Sequence, residues 1–255
     1  MGVLNVTPDS FSDGGKFFDA AHALDQARRM IAQGADILDI GAESTRPYGG
    51  AVAVPLQEEI RRLEPVLPAA GKLGAPVSID TMKPEVAAWA LAAGASIIND
   101  VWGLQRDPQM ARVAAQRAAP VIVMHNRQSA DPSLDIMAEM AAFFARSIEI
   151  AAAAGIARQN IVLDPGIGFG KTPEQSLTAI ARLHELKSFG LPLLVGASRK
   201  RFIAKVSPAP PNERLGGSIA AHLLAAANGA AIIRTHDVAQ TIQALRVAAA
   251  LRDLQ

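Results

Sequence analysis

The chain has 255 residues, of which half are hydrophobic and 4% aromatic, and its formal net charge is +1. This near balance of charge excludes the strongly basic surface that binds nucleic acid, and the absence of cysteine excludes disulfides, thiolate metal sites and a thiol nucleophile. Since no uninterrupted apolar run is long enough to cross a bilayer, we predict a soluble protein with no membrane partner, and the absence of cysteine favours the reducing cytoplasm.

Eight short apolar runs, each ending in polar residues, predict eight β-strands. In chain order the runs end at Asn5, Asp39, Asp80, Asn99, His125, Asp164, Ser198 and Arg234. Three of these runs follow a glycine, Gly34, Gly94 or Gly229, that itself follows an alanine-rich helical pattern. Glycine at this place is typical of a left-handed helix cap, so the chain repeats one helix-to-strand joint.

Helical patterns lie between these runs, for example over residues 20–33, 55–70, 84–93, 134–154, 174–188 and 238–252. Apolar strands that alternate with helices indicate a parallel sheet buried on both faces, and eight such units close a (β/α)8 barrel, an α/β fold. The alternative is an open doubly wound sheet, which usually carries Gly-x-Gly-x-x-Gly after its first strand, and this chain does not. Because no linker or shift in composition interrupts the chain, we predict a single domain over residues 1–255.

The segment over residues 163–175, LDPGIGFGKTPEQ, ends its glycine run in the letters that close a phosphate-binding P-loop. The match fails at Pro165, which stands where that loop needs glycine and which has no N–H for a phosphate. Thr172, Pro173 and Gln175 instead fit the start of a helix, with a capping threonine. We therefore expect Lys171 only to precede that helix.

Polar residues at the carboxyl ends of barrel strands converge at the place where ligands bind. The candidates are Asn5, Asp39 or Glu43, Asp80, Asn99 with Asp100, His125, Asp164, Lys200, Arg234 and His236. A single polar strand end is common because the chain emerges into water there, but eight together predict a site. Asp80, Asn99 and Asp164 offer acceptors and one amide, which suit a flat nitrogen heterocycle with N–H donors, and Lys200 adds a donor.

A second group of side chains is cationic or can become so. Arg46, Arg234 and His236 predict an anion site, because arginine matches phosphate oxygens two at a time. For a metal we expect at most a hard cation held by oxygen, with Asn5 and phosphate among its ligands. The other histidines lie within helical patterns, so we expect them in the outer layer or at an interface; they are His22, His184 and His222.

Seven motifs occur in order at successive strand ends: GVLNVTPDSFSDGG, ESTRP, SIDT, INDV, DPGIGFGK, ASRK and RTHD. In this order they resemble the bacterial dihydropteroate synthase family over nearly the whole chain. The resemblance implies a cytoplasmic (β/α)8 barrel enzyme of folate biosynthesis that is a target of sulfonamides. Such an enzyme joins 7,8-dihydropterin-6-ylmethyl diphosphate to 4-aminobenzoate and releases pyrophosphate, and the resemblance also implies Mg²⁺ as cofactor and a homodimer.

The resemblance further implies a division of labour in the site. Asp80, Asn99, Asp164 and Lys200 would bind the pterin. Asn5 would hold Mg²⁺ and the diphosphate, and Arg46, Arg234 and His236 would bind the diphosphate and stabilise its departure. Phe11, Thr45, Pro47, Phe169, Ser198 and Arg201 would shape the 4-aminobenzoate pocket, and Asp13 would help to order the closed site for catalysis.

Two alternatives remain from the sequence. A pterin-binding methyltransferase of the same barrel superfamily would pass a methyl group from methyltetrahydrofolate to a corrinoid partner, and it would have no use for a cationic clamp such as Arg46 with Arg234 and His236. A barrel kept as a ligand-binding or scaffold protein would bind a pterin without turning it over.

Overall fold

The computed structural model describes residues 1–6, 16–43 and 54–254, and for residues 16–19 it describes the backbone alone. Within these residues, eight parallel strands form one sheet in chain order. They are β1 (Gly2–Asn5), β2 (Leu38–Gly41), β3 (Val77–Asp80), β4 (Ile97–Asp100), β5 (Val121–Met124), β6 (Ile161–Asp164), β7 (Leu193–Val195) and β8 (Ala230–Ile233). The predicted strands are confirmed, although β2 continues to Gly41, so that Asp39 lies within it.

The sheet closes on itself between its first strand and the residues after its last. Gly2 forms a parallel bridge with Thr235. The Val3 N–H donates to the Thr235 carbonyl at 3.0 Å, and the Thr235 N–H donates to the Met1 carbonyl at 3.0 Å. The predicted (β/α)8 barrel is therefore confirmed, and every strand points its carboxyl end to the same mouth.

The helices surround the sheet. They are α1 (Lys16–Ala32), α2 (Leu56–Leu63), α3 (Leu67–Ala70), α4 (Pro84–Ala93), α5 (Pro108–Gln116), α6 (Ile136–Ala154), α7 (Pro173–Ala181), α8 (Arg201–Val206), α9 (Leu215–Ala227) and α10 (Val238–Arg252). The predicted glycine joints have φ values of 101° at Gly34, 123° at Gly94 and 104° at Gly229. Because side chains rarely adopt this region, glycine is what lets each helix turn sharply into the next strand.

Two predicted helices differ from the structure. The pattern over residues 55–70 splits into α2 and α3, and Pro65 lies between them. Proline has no N–H for the carbonyl four residues earlier, and its ring crowds that carbonyl, so the helix breaks there. The pattern over residues 174–188 begins as α7 and then tightens into the 3₁₀ helix Leu183–Phe189.

The apolar core lies between the strands and the helices, and small side chains let the two layers approach closely. Ala23, Ala27, Ala87 and Ala90 are fully buried, and Phe144 is among the largest buried side chains. Within the described ranges, no helix is both long and apolar enough to cross a membrane.

Candidate active site

The strand register places three candidate side chains at one level of the barrel mouth. Asn5 pairs with Gly41, Gly41 pairs with Asp80, and Asp80 pairs with Asn99. Gly41 contributes no side chain, and a Cβ built there would lie 3.2 Å from the Asp80 Cβ. Space at this level is therefore kept for Asp80 and its neighbours.

Arg234 connects the two groups that the sequence analysis separated. Its Nε donates to Asp39 Oδ2 at 2.6 Å and its Nη2 donates to Asp80 Oδ2 at 2.9 Å. Asn99 donates its Nδ2 to the same Asp39 oxygen at 3.2 Å. The other oxygens, Asp80 Oδ1 and Asn99 Oδ1, are buried without a hydrogen-bond partner. Two acceptors thus lie side by side, ready for the donors of a ligand.

Burial raises the pKa of Asp80 to about 7, and the Asp39 charge acts in the same direction while Arg234 opposes it. For Arg234, burial disfavours the charged form, but the Asp39 and Asp80 carboxylates outweigh it and raise the pKa above the ordinary value for arginine. One guanidinium thus faces two buried carboxylates, and Asp80 keeps its proton to a higher pH than an ordinary aspartate does.

The loop after β6 carries another acceptor. Asp164 Oδ1 accepts the Gly166 N–H at 2.7 Å. Burial raises the Asp164 pKa, and the Lys200 charge opposes that shift. Lys200 Nζ donates to the Ile167 carbonyl and lies 4.7 Å from the centre of the Phe169 ring. The structure thus brings together Asp164, Lys200 and Phe169, as predicted.

The ends of β7 and β8 meet through Ser198 and His236. His236 Nδ1 lies 3.0 Å from Ser198 Oγ, and the His236 N–H donates to the same oxygen at 3.3 Å. Arg199, with φ of 59°, forms an ion pair with Asp237. Arg201 is the first residue of α8 and is exposed.

Two polar side chains at or just after the ends of strands form hydrogen bonds with the protein's own loops. Asp100 accepts the backbone N–H groups of Trp102 and Leu104 at 2.9 and 2.7 Å. Glu43 accepts the Val54 N–H at 3.0 Å and pairs with Lys83. Asp100, and Glu43 as the alternative to Asp39, thus bond to the protein's own loops, and their place in the ligand cup stays a prediction.

His125 is fully buried and bonded to Glu139 and Lys171, so its place in the ligand cup was predicted wrongly. His22, His184 and His222 all lie in the outer helical layer, as expected; His22 and His184 are exposed, whereas His222 on α9 is only 1% exposed. Five other candidates lie outside the described residues, and they are Phe11, Asp13, Thr45, Arg46 and Pro47.

Sequence reasoning missed two features of the site. Asp39 does not end its strand as the sequence predicts; it lies within β2 and is a fully buried link between Arg234 and Asn99. An aspartate inside an apolar strand needs a partner, and that need was the available signal. Lys171 is 2% exposed, contrary to the expectation that it only precedes a helix. The sequence near Lys171 gives no signal of its burial.

Active sites of (β/α)8 enzymes lie at the carboxyl ends of the strands, and here that end holds buried acceptors without partners. Fold and site therefore define an enzyme of the (β/α)8 barrel class. Residues 1–236 match the family model described as pterin binding enzyme. The chain is 48% identical to the dihydropteroate synthase of Bacillus subtilis, over 94% of this chain and 84% of that protein.

Two solved structures agree with this match. A Clostridium difficile dihydropteroate synthase, crystallised in the presence of pteroic acid, is 47% identical with a TM-score of 0.94, covering 98% of this chain and 95% of that one. The Xanthomonas albilineans dihydropteroate synthase with 4-aminobenzoic acid is 44% identical with a TM-score of 0.94, covering 99% of this chain and 92% of that one. The chain belongs to the dihydropteroate synthase family of pterin-binding enzymes, and it is a transferase.

Proposed function

We propose that this chain joins 7,8-dihydropterin-6-ylmethyl diphosphate to 4-aminobenzoate, giving 7,8-dihydropteroate and pyrophosphate. The family decides between this reaction and the methyltransferase considered above, since the relatives that match along the whole chain are dihydropteroate synthases. The observation in the structure that carries the proposal is the pair of buried acceptors without partners, Asp80 Oδ1 and Asn99 Oδ1, next to Arg234.

The pterin binds to Asp80, Asn99, Asp164 and Lys200. Its ring N–H groups donate to the carboxylates and to the Asn99 carbonyl, which faces away from Asp39 because the Asn99 amide N–H is used there. Lys200 donates to the acceptor edge of the ring, from beside the Phe169 ring. Because these groups are buried, a polar atom that the pterin leaves without a hydrogen bond would not regain one from water. Each matched hydrogen bond therefore contributes to the affinity for the pterin.

The diphosphate binds on the cationic side, to Arg46, Arg234 and His236. Arg234 uses Nε and Nη2 for Asp39 and Asp80, and we assign its remaining nitrogen, Nη1, to the diphosphate. His236, which follows β8, contacts the hydroxyl group of Ser198, which follows β7. As the diphosphate leaves, negative charge grows on its oxygens, and these cations stabilise that charge.

Mg²⁺ fits this site through one protein ligand. The described residues contain no group of three or more acidic or histidine side chains that could hold a metal. Mg²⁺ usually keeps several waters and takes one or two protein ligands with substrate phosphates, and the Asn5 amide oxygen at the mouth suits that role. When bound, the ion would neutralise charge on the leaving diphosphate.

The 4-aminobenzoate lies against Phe169, Ser198 and Arg201, with Phe11, Thr45 and Pro47 from residues outside the described ranges, and Asp13 orders the closed site. Loss of diphosphate leaves the pterin methylene electron-poor, and the carboxylates of Asp80 and Asp164 favour the positive charge that spreads over the ring. The arylamine then attacks, and positioning is the main contribution of the protein to this step.

We also propose a homodimer built on α9 and α10. These helices pack on each other and leave three apolar side chains exposed, Leu224 at 47%, Val247 at 56% and Leu251 at 60%. Val247 and Leu251 lie one helical turn apart on α10, and exposed apolar side chains grouped on a surface are typical of an interface. The cytoplasmic location and the sulfonamide target stay predictions from the sequence.

Pyrophosphate release tests the proposed activity directly. The purified chain is incubated with the dihydropterin diphosphate, 4-aminobenzoate and Mg²⁺, and pyrophosphate and dihydropteroate are measured together. We expect both products in equal amounts, and neither above background when 4-aminobenzoate is omitted. Pyrophosphate formed equally with and without 4-aminobenzoate would contradict the proposal, because it would indicate hydrolysis instead of transfer.

A further inference from the structure

The β6–α7 loop, residues 165–170, passes tightly against the end of β5. Its glycines at 166, 168 and 170 have φ values of 62°, 81° and 53°. A Cβ built on Gly166 would lie 2.0 Å from the His125 carbonyl oxygen. No side chain fits at Gly166, so the loop can lie this close to the end of β5. Because the loop is not a strand, its Gly166 and Phe169 carbonyls need hydrogen-bond donors other than a neighbouring strand.

Lys171 supplies the donor that these carbonyls need. Its Nζ donates to the Gly166 carbonyl at 3.1 Å and to the Phe169 carbonyl at 3.2 Å, and it lies 2.5 Å from His125 Nδ1. The side chain is 2% exposed, and burial lowers the pKa of Lys171 to about 7, while the Asp164 and Glu139 charges oppose that shift. A buried amino group is costly unless its N–H donors are hydrogen-bonded, and this one donates to carbonyls at both ends of the loop.

Behind Lys171, a relay reaches the outer helices. Because His125 Nδ1 accepts from Lys171, its Nε2 carries the proton and donates to Glu139 on α6. Burial lowers the pKa of His125 to about 4, in keeping with a neutral imidazole that accepts on one side and donates on the other. Glu139 also lies 3.7 Å from Arg127 Nε. The relay thus holds the Lys171 amino group through His125.

The same loop residues contact the site. The Gly166 N–H donates to Asp164 Oδ1 at 2.7 Å, and the Phe169 ring lies beside Lys200. Lys200 holds the Ile167 carbonyl from the mouth, whereas Lys171 holds Gly166 and Phe169 from behind. Loss of the rear support would free the loop to turn Asp164 and Phe169 away from the pterin.

We propose that Lys171, held by His125 and Glu139, is a positioning residue that aims the Asp164 carboxylate and the Phe169 ring at the pterin. This inference rests on the proposed function. Lys171 touches no substrate in this account, and it acts through the backbone of the loop.

The test uses Lys171→Met, which keeps the length of the side chain and removes its donor. Binding of 6-hydroxymethyl-7,8-dihydropterin and of inorganic pyrophosphate is measured by calorimetry, with melting temperature followed in parallel. We expect pterin affinity to fall by about tenfold or more, the worth of a charge-assisted hydrogen bond, while pyrophosphate affinity stays within about twofold. The matched control, Lys72→Met, changes an exposed lysine before β3 and should alter neither affinity.

Glu139→Gln keeps the test informative if Lys171→Met does not fold, because Glu139 lies at the partly exposed end of the relay. We expect Glu139→Gln to lower pterin affinity as well, but by less than Lys171→Met does. The double variant should lose no more pterin affinity than Lys171→Met alone. Pterin affinity that stays within about twofold in both variants would overturn the inference. Failure of the unchanged chain to bind the pterin would instead overturn the proposed function.

Discussion

At the scale of single residues, the site depends on Asp39, which contacts both Arg234 and Asn99. Its charge also contributes to the raised pKa of Asp80. An ionised Asp80 favours the cationic pterin, so kcat/KM for the dihydropterin diphosphate should rise with pH through a value near 7.

Asp39→Asn should move that acid limb to lower pH. Removal of a neighbouring negative charge stabilises ionised Asp80, so its pKa falls and activity begins at a lower pH. At pH 8 the variant should be slower than the unchanged chain, because Arg234 loses a charged partner. The measurement is kcat/KM from pH 5.5 to 9, with Asp36→Asn, an exposed residue before β2, as control. An acid limb that stays in place would contradict this view of Asp39.

Asp164→Asn should weaken pterin binding by about 1.5 to 3 kcal/mol, the usual contribution of a hydrogen bond to a charged group. The asparagine oxygen can still accept the Gly166 N–H, so the loop stays folded while the ring donors lose their carboxylate. Calorimetry with 6-hydroxymethyl-7,8-dihydropterin measures the change. Asp253→Asn, at an exposed position after α10, is the control, and an affinity equal to that of the control would remove Asp164 from the site.

At the scale of elements, α9 carries a buried group that makes stability depend on pH. His222 is 1% exposed and neither ring nitrogen has a hydrogen-bond partner. Burial lowers its pKa to about 4, the Lys200 charge acts in the same direction, and Asp237 opposes it. Between pH 6.5 and 4 the unfolded chain therefore binds a proton that the folded chain does not, and stability falls as the pH falls.

His222→Leu should remove this part of the acid sensitivity. We compare the free energy of unfolding of His222→Leu with that of the unchanged chain. The difference in favour of the variant should be about 2 kcal/mol larger at pH 5 than at pH 8. Urea unfolding at the two pH values measures the difference, with His184→Leu on the exposed 3₁₀ helix as control. An equal effect of His222→Leu at both pH values would show that His222 does not titrate on unfolding.

The elements also show what sequence could predict. Apolar runs and glycine joints such as Gly94 were enough for the eight strands, because these signals are local in the chain. The break at Pro65 was also readable from a local rule. The environment of Lys171 could not be predicted in this way, because its partner His125 lies 46 residues away and only the closed barrel brings the two together. Residues whose role depends on distant partners, as with Asp39, are those that sequence patterns describe least well.

At the scale of the whole molecule, the exposed apolar side chains of α9 and α10 predict self-association. Val247→Glu places a charge in that surface, and we expect it to convert the dimer to a monomer because a buried unpaired charge is costly. Sedimentation velocity measures the mass. Gln109→Glu adds the same charge on α5 and should leave the dimer intact. A monomer for the unchanged chain would contradict the proposed interface.

The closing contacts of the barrel have a consequence for synthesis on the ribosome. Arg234 meets Asp39 across 195 residues of sequence and Asp80 across 154. Until the segment around Arg234 leaves the exit tunnel, a nascent chain holds two carboxylates with no cation to compensate them, and the last strand has not joined the first. The cation that compensates Asp39 and Asp80 thus joins the site late, when the residues after β8 meet β1 and close the barrel.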